Sequence, residues 1–286
     1  MPLTRHYCCK PFCLSPLRRF LLISFCFSLT VCHSLSIIMS SAAVAAAGAT
    51  TTKKAAALIF LHGLGDGPSG WSMLQHQLPA LKPRLAQVQY VFPQSPEIPL
   101  SINGGMVMPG WFDLYEWPIQ VGDPDDKKGK LAAVAQMERE IEKLVTQGIP
   151  RNKIAIGGFS QGGAIALLTT YYNSNTAPQQ EHQTPPLAAC ISLSGWLTLT
   201  NEFKSVNAQN KDTPLFWGHG EYDDKVLFGQ QKHGIETLSN AGVDNLQFQS
   251  YPMGHESCSE EMQGFAEFLD ESLFGGEDQK QQQPDL

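Results

Sequence analysis

The stretch "AAALIFLHGLGD" that follows Lys54 is continuously apolar until it meets glycine. A strand covered on both faces has this pattern, because neither of its alternating sets of side chains meets water. "VQYVFPQ" (Val88–Gln94), "KIAIGGFS" (Lys153–Ser160), "LAACISLSG" (Leu187–Gly195) and "PLFWGHG" (Pro214–Gly220) repeat it. "LQFQSYP" (Leu246–Pro252) alternates apolar and polar residues, which predicts a place nearer the sheet edge.

Between these runs the apolar residues return with helical spacing. In "KLAAVAQMEREIEKLVTQG" (Lys130–Gly148), Leu131, Val134, Met137, Ile141, Leu144 and Val145 fall on one face, and Gly148 and Pro150 end the helix. Further helices are predicted in "AIALLTTYY" after Ser160, in "GQQKHGIETLSNAG" between the last two strands, and in "SEEMQGFAEFLDESLF" at the end. Strands alternating with helices predict an α/β fold, a mainly parallel central sheet with helices on both faces.

Composition divides the chain. With 42% hydrophobic and 16% charged residues over 286 positions, it can bury one globular core. The N-terminal stretch differs: no Asp or Glu occurs before Asp66, and Arg5, Lys10, Arg18 and Arg19 precede the apolar "FLLISFCFSLTV" (Phe20–Val31). That run is short for a membrane span and reads as a secretory or transit leader, with Met39 as an alternative start. Residues 1–52 are therefore assigned to a leader and low-complexity linker, 53–275 to the folded domain, and 276–286 to a disordered polar tail. "NSNTAPQQEHQTPP" (Asn173–Pro186) reads as a polar loop inside the domain.

Formal charge is −7, or −11 once the four basic residues of positions 1–38 are set aside, and the globular part has no basic tract. Nucleic acid is thereby excluded as a partner. Five of seven cysteines (Cys8, Cys9, Cys13, Cys26, Cys32) lie in the leader, leaving Cys190 and Cys258, which is no disulfide framework. No Asn-x-Ser/Thr acceptor occurs either. Both facts favour a reducing, cytoplasmic location, membrane-associated or not; a functional leader would send the chain to the secretory pathway or an organelle instead.

Candidate chemistry centres on "GFSQG" (Gly158–Gly162), a G-x-S-x-G motif between a predicted buried strand and an apolar helix. Such a turn lifts a serine into exposure at a helix N-terminus, with small neighbours because the backbone is tight. A serine hydroxyl is a weak nucleophile until a base takes its proton, and the base needs an orienting carboxylate. On this scaffold the order is serine, acid, histidine. His6 and His33 lie in the leader, His62 and His76 precede Ser160, His182 is in the polar loop, His219 precedes the available acids, and His233 is helical. His255, in "YPMGHESC", follows the last strand and is the candidate base. The preceding strand ends in "WGHGEYDDKV", which offers Glu221, Asp223 and Asp224. Asp223 is preferred, partly because a loop residue a few positions past the strand can fold back over the sheet edge and partly on the resemblance given below, with Asp224 the runner-up. Oxyanion donors are expected from the amides of Gln161 and of Leu64 in "LHGLGD".

"FLHGLGD", "MPGWFD", "GGFSQGG", "LSGWL", "HGEYDDKV" and "GHESC" together resemble the acyl-protein thioesterase and lysophospholipase group, small carboxylesterases of α/β-hydrolase fold, over about Ala55 to Phe274. The resemblance implies Ser160 as nucleophile, Asp223 as acid, His255 as base, and Leu64 and Gln161 as backbone donors. The family pattern has Asp where Glu221 stands and Pro where Asp224 stands, so the acid turn departs from it. Removal of palmitoyl groups from protein cysteines is the implied activity, without metal or cofactor. Acylated proteins or lysophospholipids are the implied substrates, with transient membrane-surface contact and a monomeric or weakly dimeric state.

About 18 residues separate "LSG" from "PLFWGHG", too few for a large lid domain. Leu64, Met106, Met108, Trp111 and Trp196 are candidates to line an acyl channel. Three other functions are weighed: a lysophospholipase or short-chain esterase, a non-catalytic hydrolase-fold binding protein, and a metal site of His219, Glu221 and Asp223.

Overall fold

The computed structural model describes residues 54–173, 185–203 and 205–281. The N-terminal leader, residues 174–184 of the polar loop and the last five residues lie outside them. In chain order the strands are β1 (Ala56–Leu61), β2 (Val88–Val91), β3 (Glu97–Leu100), β4 (Met106–Pro109), β5 (Ile154–Phe159), β6 (Ala189–Leu193), β7 (Leu215–Gly220) and β8 (Leu246–Tyr251). The α-helices are α1 (Pro68–Trp71), α2 (Leu74–Leu81), α3 (Lys127–Thr146), α4 (Gln161–Tyr171), α5 (Gly229–Asn240) and α6 (Ser259–Gln281).

Six strands form one sheet in the order β2-β1-β5-β6-β7-β8, with every neighbouring pair parallel. The alternating "LQFQSY" strand is at the edge, as its pattern predicts. β1 explains the continuous apolar runs. Ala57, Ile59 and Leu61 face a layer containing Met137, Ile141 and Leu144 of α3 with Leu167 of α4, while Ala56, Leu58 and Phe60 face Leu74 and Leu78 of α2 with Phe265, Leu269 and Leu273 of α6. Each large aliphatic side chain so buried contributes about 1.5–3 kcal/mol. No large lid separates β6 from β7; a short 3-10 turn, Thr200–Glu202, lies there instead.

Several elements differ from the sequence expectation. β3 and β4 make a separate antiparallel hairpin turning through Gly104 and Gly105. α2 carries Pro79 within it, a residue that argues against a helix when read alone. α3 begins at Lys127, capped by Asp126, whose Oδ1 accepts from the Gly129 amide at 2.9 Å. Its buried face includes Lys130 and Ala133, while Val145 is exposed. Lys130 is tolerated inside because its amine bonds Asp125 and Thr198 and lies 4.7 Å from the Phe112 ring centroid; burial nonetheless lowers its pKa to about 7. α6 runs through Gln281, so the polar tail expected from residue 276 begins as helix. Propagation adds one hydrogen bond per residue, and polarity alone does not oppose it.

Glu261, in the first turn of α6, is fully buried against β7, where Gly218 leaves it space. Neither carboxyl oxygen has a hydrogen-bond partner among the described residues, and burial raises its pKa from 4.5 to about 8. The folded chain therefore keeps a proton that the unfolded chain releases. Stability from this neutral carboxyl is complete below about pH 4.5 and is lost as pH rises towards about 8. Glu261→Gln is expected to raise Tm above wild type by several degrees beyond about pH 8 and to converge with it below about pH 4.5. A Tm difference that is constant across pH, measured by thermal unfolding, would refute this.

Candidate active site

All the sheet's strands run parallel, so the loops leaving β1, β5, β7 and β8 open at one edge. Ser160 stands between β5 and α4 with φ 54° and ψ −120°, a conformation that costs an L-residue about 1–3 kcal/mol. Its amide donates to the Leu193 carbonyl at 2.8 Å and its carbonyl accepts from Ala164 at 3.0 Å, which hold the turn in place. A side chain at Gly158 would overlap the backbone of Gly162 and Gly163, and one at Gly162 would overlap the Leu61 and His62 carbonyls. Glycine is required at both places by close approach.

The loop after β8 brings His255 to this turn. Its Nε2 is 2.9 Å from Ser160 Oγ and its Nδ1 is 2.7 Å from Asp223 Oδ2. Asp223 Oδ1 accepts from the amides of Lys225 and Val226, both at 2.9 Å. Burial of this carboxylate works to raise its pKa, but the hydrogen bond and charge of His255 and the two amides outweigh it, and the pKa lies below the ordinary value. Asp224 projects outward with its side chain 76% exposed, against 0% for Asp223, and pairs with Lys225 at 3.2 Å. Glu221 accepts from Ser250 Oγ at 2.8 Å. Of the three acids in the turn, Asp223 alone reaches His255. His219 Nε2 bonds the Val226 carbonyl at 2.8 Å, and among the described residues there is no group of three His, Cys, Asp or Glu that could hold a metal ion.

Two amides expected to act as donors, those of Gln161 and Leu64, lack a backbone acceptor among the described residues. Gln161 begins α4, where amides have no intrahelical acceptor. The Leu64 loop is tied down by its neighbours: the Gly65 amide donates to the Pro109 carbonyl at 2.8 Å. A serine hydroxyl beside a carboxylate-oriented imidazole is equipped for attack on an acyl carbonyl.

The expected channel residues separate into two groups. Leu64 and Met108 are half-buried near this loop, and Met106 is 62% exposed on the hairpin. Trp111 and Trp196 are core residues. Trp196 meets Phe112 edge to face, and Trp111 donates its indole N–H to the His62 carbonyl at 2.8 Å.

Three residues acquire parts that sequence reasoning missed. The Gln161 side chain bolts the "GWF" segment to the serine turn, since Oε1 accepts from the Trp111 amide at 2.8 Å and Nε2 donates to the Phe112 carbonyl at 2.7 Å. His62 accepts from the Ser95 amide on Nε2 at 3.2 Å, which places its proton on Nδ1, facing the Gly63 carbonyl at 2.8 Å. Burial lowers its pKa, consistent with a neutral ring. His219, fully buried, braces Val226 and lies 3.5 Å from Asp223 Oδ2, and burial lowers its pKa too. The position of His219 four residues before Asp223 was the available signal.

The phospholipase/carboxylesterase family matches residues 42–273. Acyl-protein thioesterase 1 of Cryptococcus neoformans is 37% identical over 231 residues, covering 76% of this chain and 92% of its own. A probable carboxylesterase of Oryza sativa is 34% identical over 218 residues, covering 76% of this chain and 77% of its own. Among solved structures, Arabidopsis thaliana SOBER1 is similar with a TM-score of 0.69 at 29% identity, covering 76% of this chain and 99% of that one. Zea mays acyl-protein thioesterase 2 gives 0.64 at 30% identity, covering 78% and 96%.

Replacing Gln161 by Ala strips partners from two buried backbone groups, each worth about 1–3 kcal/mol. Gln161→Ala is expected to lower the unfolding free energy by about 2 kcal/mol or more in denaturant titration; a loss below about 0.5 kcal/mol would show that the bolt is not structural.

Proposed function

Since this chain belongs to the phospholipase/carboxylesterase family and is an ester or thioester hydrolase of α/β-hydrolase fold, we propose that it removes long-chain acyl groups, palmitoyl in particular, from protein cysteines. The observation that carries the catalytic reading is the continuous hydrogen-bonded line from Ser160 Oγ through His255 to Asp223. The thioesterase names of the relatives and of the maize structure support the substrate class.

In this reading His255 Nε2 takes the Ser160 proton as Oγ attacks the thioester carbonyl, and the Leu64 and Gln161 amides receive the negative oxygen. The tetrahedral intermediate collapses as the carbon–sulfur bond breaks and His255 returns the proton to the departing sulfur. Water then attacks the acyl-serine, giving its proton to the same imidazole, and the fatty acid leaves as Ser160 regains its proton. Asp223 keeps the imidazole in the required tautomer and stabilises its positive charge. No step calls for a metal or cofactor. Among the described residues no helix is long and apolar enough to cross a membrane. We place the enzyme in the cytoplasm, with transient contact at membrane surfaces that carry its acylated substrates, as a monomer or weak dimer.

Ser160→Ala is expected to abolish labelling by a fluorophosphonate probe; a wild type that does not label, or a variant that labels as strongly as wild type, would defeat the catalytic reading. Asp223→Asn is expected to lower kcat by about 10⁴, whereas Asp224→Asn changes it less than about threefold. Equal losses would reassign the acid. On thioesters graded from acetyl to palmitoyl, kcat/KM is expected to rise with chain length, and a sharp preference for acetyl would sink the depalmitoylation reading.

A further inference from the structure

A thioester has two halves, and only one is the acyl chain. Because His255 must protonate the departing sulfur, the leaving half lies on the imidazole's side of the scissile bond. A groove of about 540 Å³ lies between the α1–α2 segment and the start of α6, and the segment that carries His255 runs on into its wall at Ser257 and Cys258. Trp71, Met73 and Leu81 form one wall, and Ser257, Cys258 and Met262 the other.

A line of packed rings joins the groove wall to the site. Trp71 packs on Phe159 with ring centroids 5.2 Å apart, and Phe159 on His255 at 4.9 Å. Phe159 immediately precedes Ser160, and Ser257 and Cys258 follow His255 by two and three residues.

Its chemistry selects what can lie there. No charged residue lines it. Met73 is 51% exposed and Leu81 38%, so apolar surface stands open to water in the empty groove. Among the nearest charges in sequence, Lys82 pairs with Glu267 at 3.5 Å, while Glu256 and Glu260 are acidic. A phosphorylated headgroup finds no cation here. An extended peptide with apolar side chains does find a surface of matching polarity, and methionine adapts to varied shapes.

We propose that this groove is the leaving-group subsite, and that it binds the apolar residues flanking an S-acylated cysteine of a protein substrate. The proposal rests on the thioesterase reading above and specifies the half of the substrate which that reading leaves open.

The test uses the full chain with two S-palmitoyl peptides, one with leucine and phenylalanine flanking the cysteine and one with glutamate at the same places. Palmitoyl thioester of mercaptoethanol serves as the small-thiol reference, and lysophosphatidylcholine as the lipid competitor. Wild type is expected to show kcat/KM at least about tenfold higher for the apolar peptide than for the acidic one, with the difference in KM. A Met73→Glu, Leu81→Glu double variant is expected to bring that ratio near unity, while Phe248→Ser, on the far edge strand, keeps it. Should the double variant fail to fold, the wild-type comparison decides. Equal kcat/KM for the two peptides overturns the proposal. So does a loss in the double variant that tracks acyl length, which would place the acyl chain in the groove, and so does faster hydrolysis of lysophosphatidylcholine than of either peptide. Failure on the mercaptoethanol thioester as well would defeat the thioesterase reading itself, and this proposal with it.

Discussion

Between β5 and α4 the backbone comes so close to itself and to β1 that positions 158 and 162 have no room for a side chain. That contact dictates the rest of the site. It forces Ser160 into a positive φ, which lifts the hydroxyl off the sheet and leaves the first amides of α4 pointing at the same space. The strain of about 1–3 kcal/mol is small beside the packing of β5 and α4, where all eleven helical residues are buried. A serine placed this way depends on the core, not on the loop that carries it.

The remaining groups come from other strand ends, and each is held by something besides its chemical partner. Asp223 is fixed by two amides of its own turn and braced through His219 and Val226. The Leu64 loop is fixed through Gly65, His62 and Trp111, and Trp111 in turn by Gln161. Gln161 thus opens α4 beside Ser160 with its backbone and ties the wall with its side chain. A neutral His62 suits this wall, since a charged ring would lose its acceptor for the Ser95 amide.

The six sheet strands could be read directly because burial on both faces leaves an uninterrupted apolar run, and the edge position of β8 because one face is wet. The hairpin could not: Pro99 and Pro109 lie in its strands, and Met106 and Val107 project into water, so neither periodicity nor burial marks it. α2 was hidden by Pro79, and the outer turns of α3 were misjudged because Lys130 goes inside where Val145 stays out. Ser160 and His255 were legible from motif and chain order. Asp223 was separable from Asp224 only in part, since adjacent carboxylates in a turn differ by which way the backbone faces. The wall residues His62 and Trp111 were not legible as partners, because their contacts cross up to 50 positions and obey no local period, whereas His219 carried only its spacing of four from Asp223.

The segment before α3 pairs with the acid turn: the Ile119 amide donates to the Lys225 carbonyl at 2.7 Å, and the Leu227 amide to the Ile119 carbonyl at 3.3 Å. These contacts tie together parts of the chain synthesised far apart, and the imidazole comes later still. A growing polypeptide can therefore form much of its sheet while remaining chemically silent, because the carboxylate has no base to orient until β8 and its loop emerge. On the proposed triad, competence thus requires strand ends from β5 to β8 to be in place together.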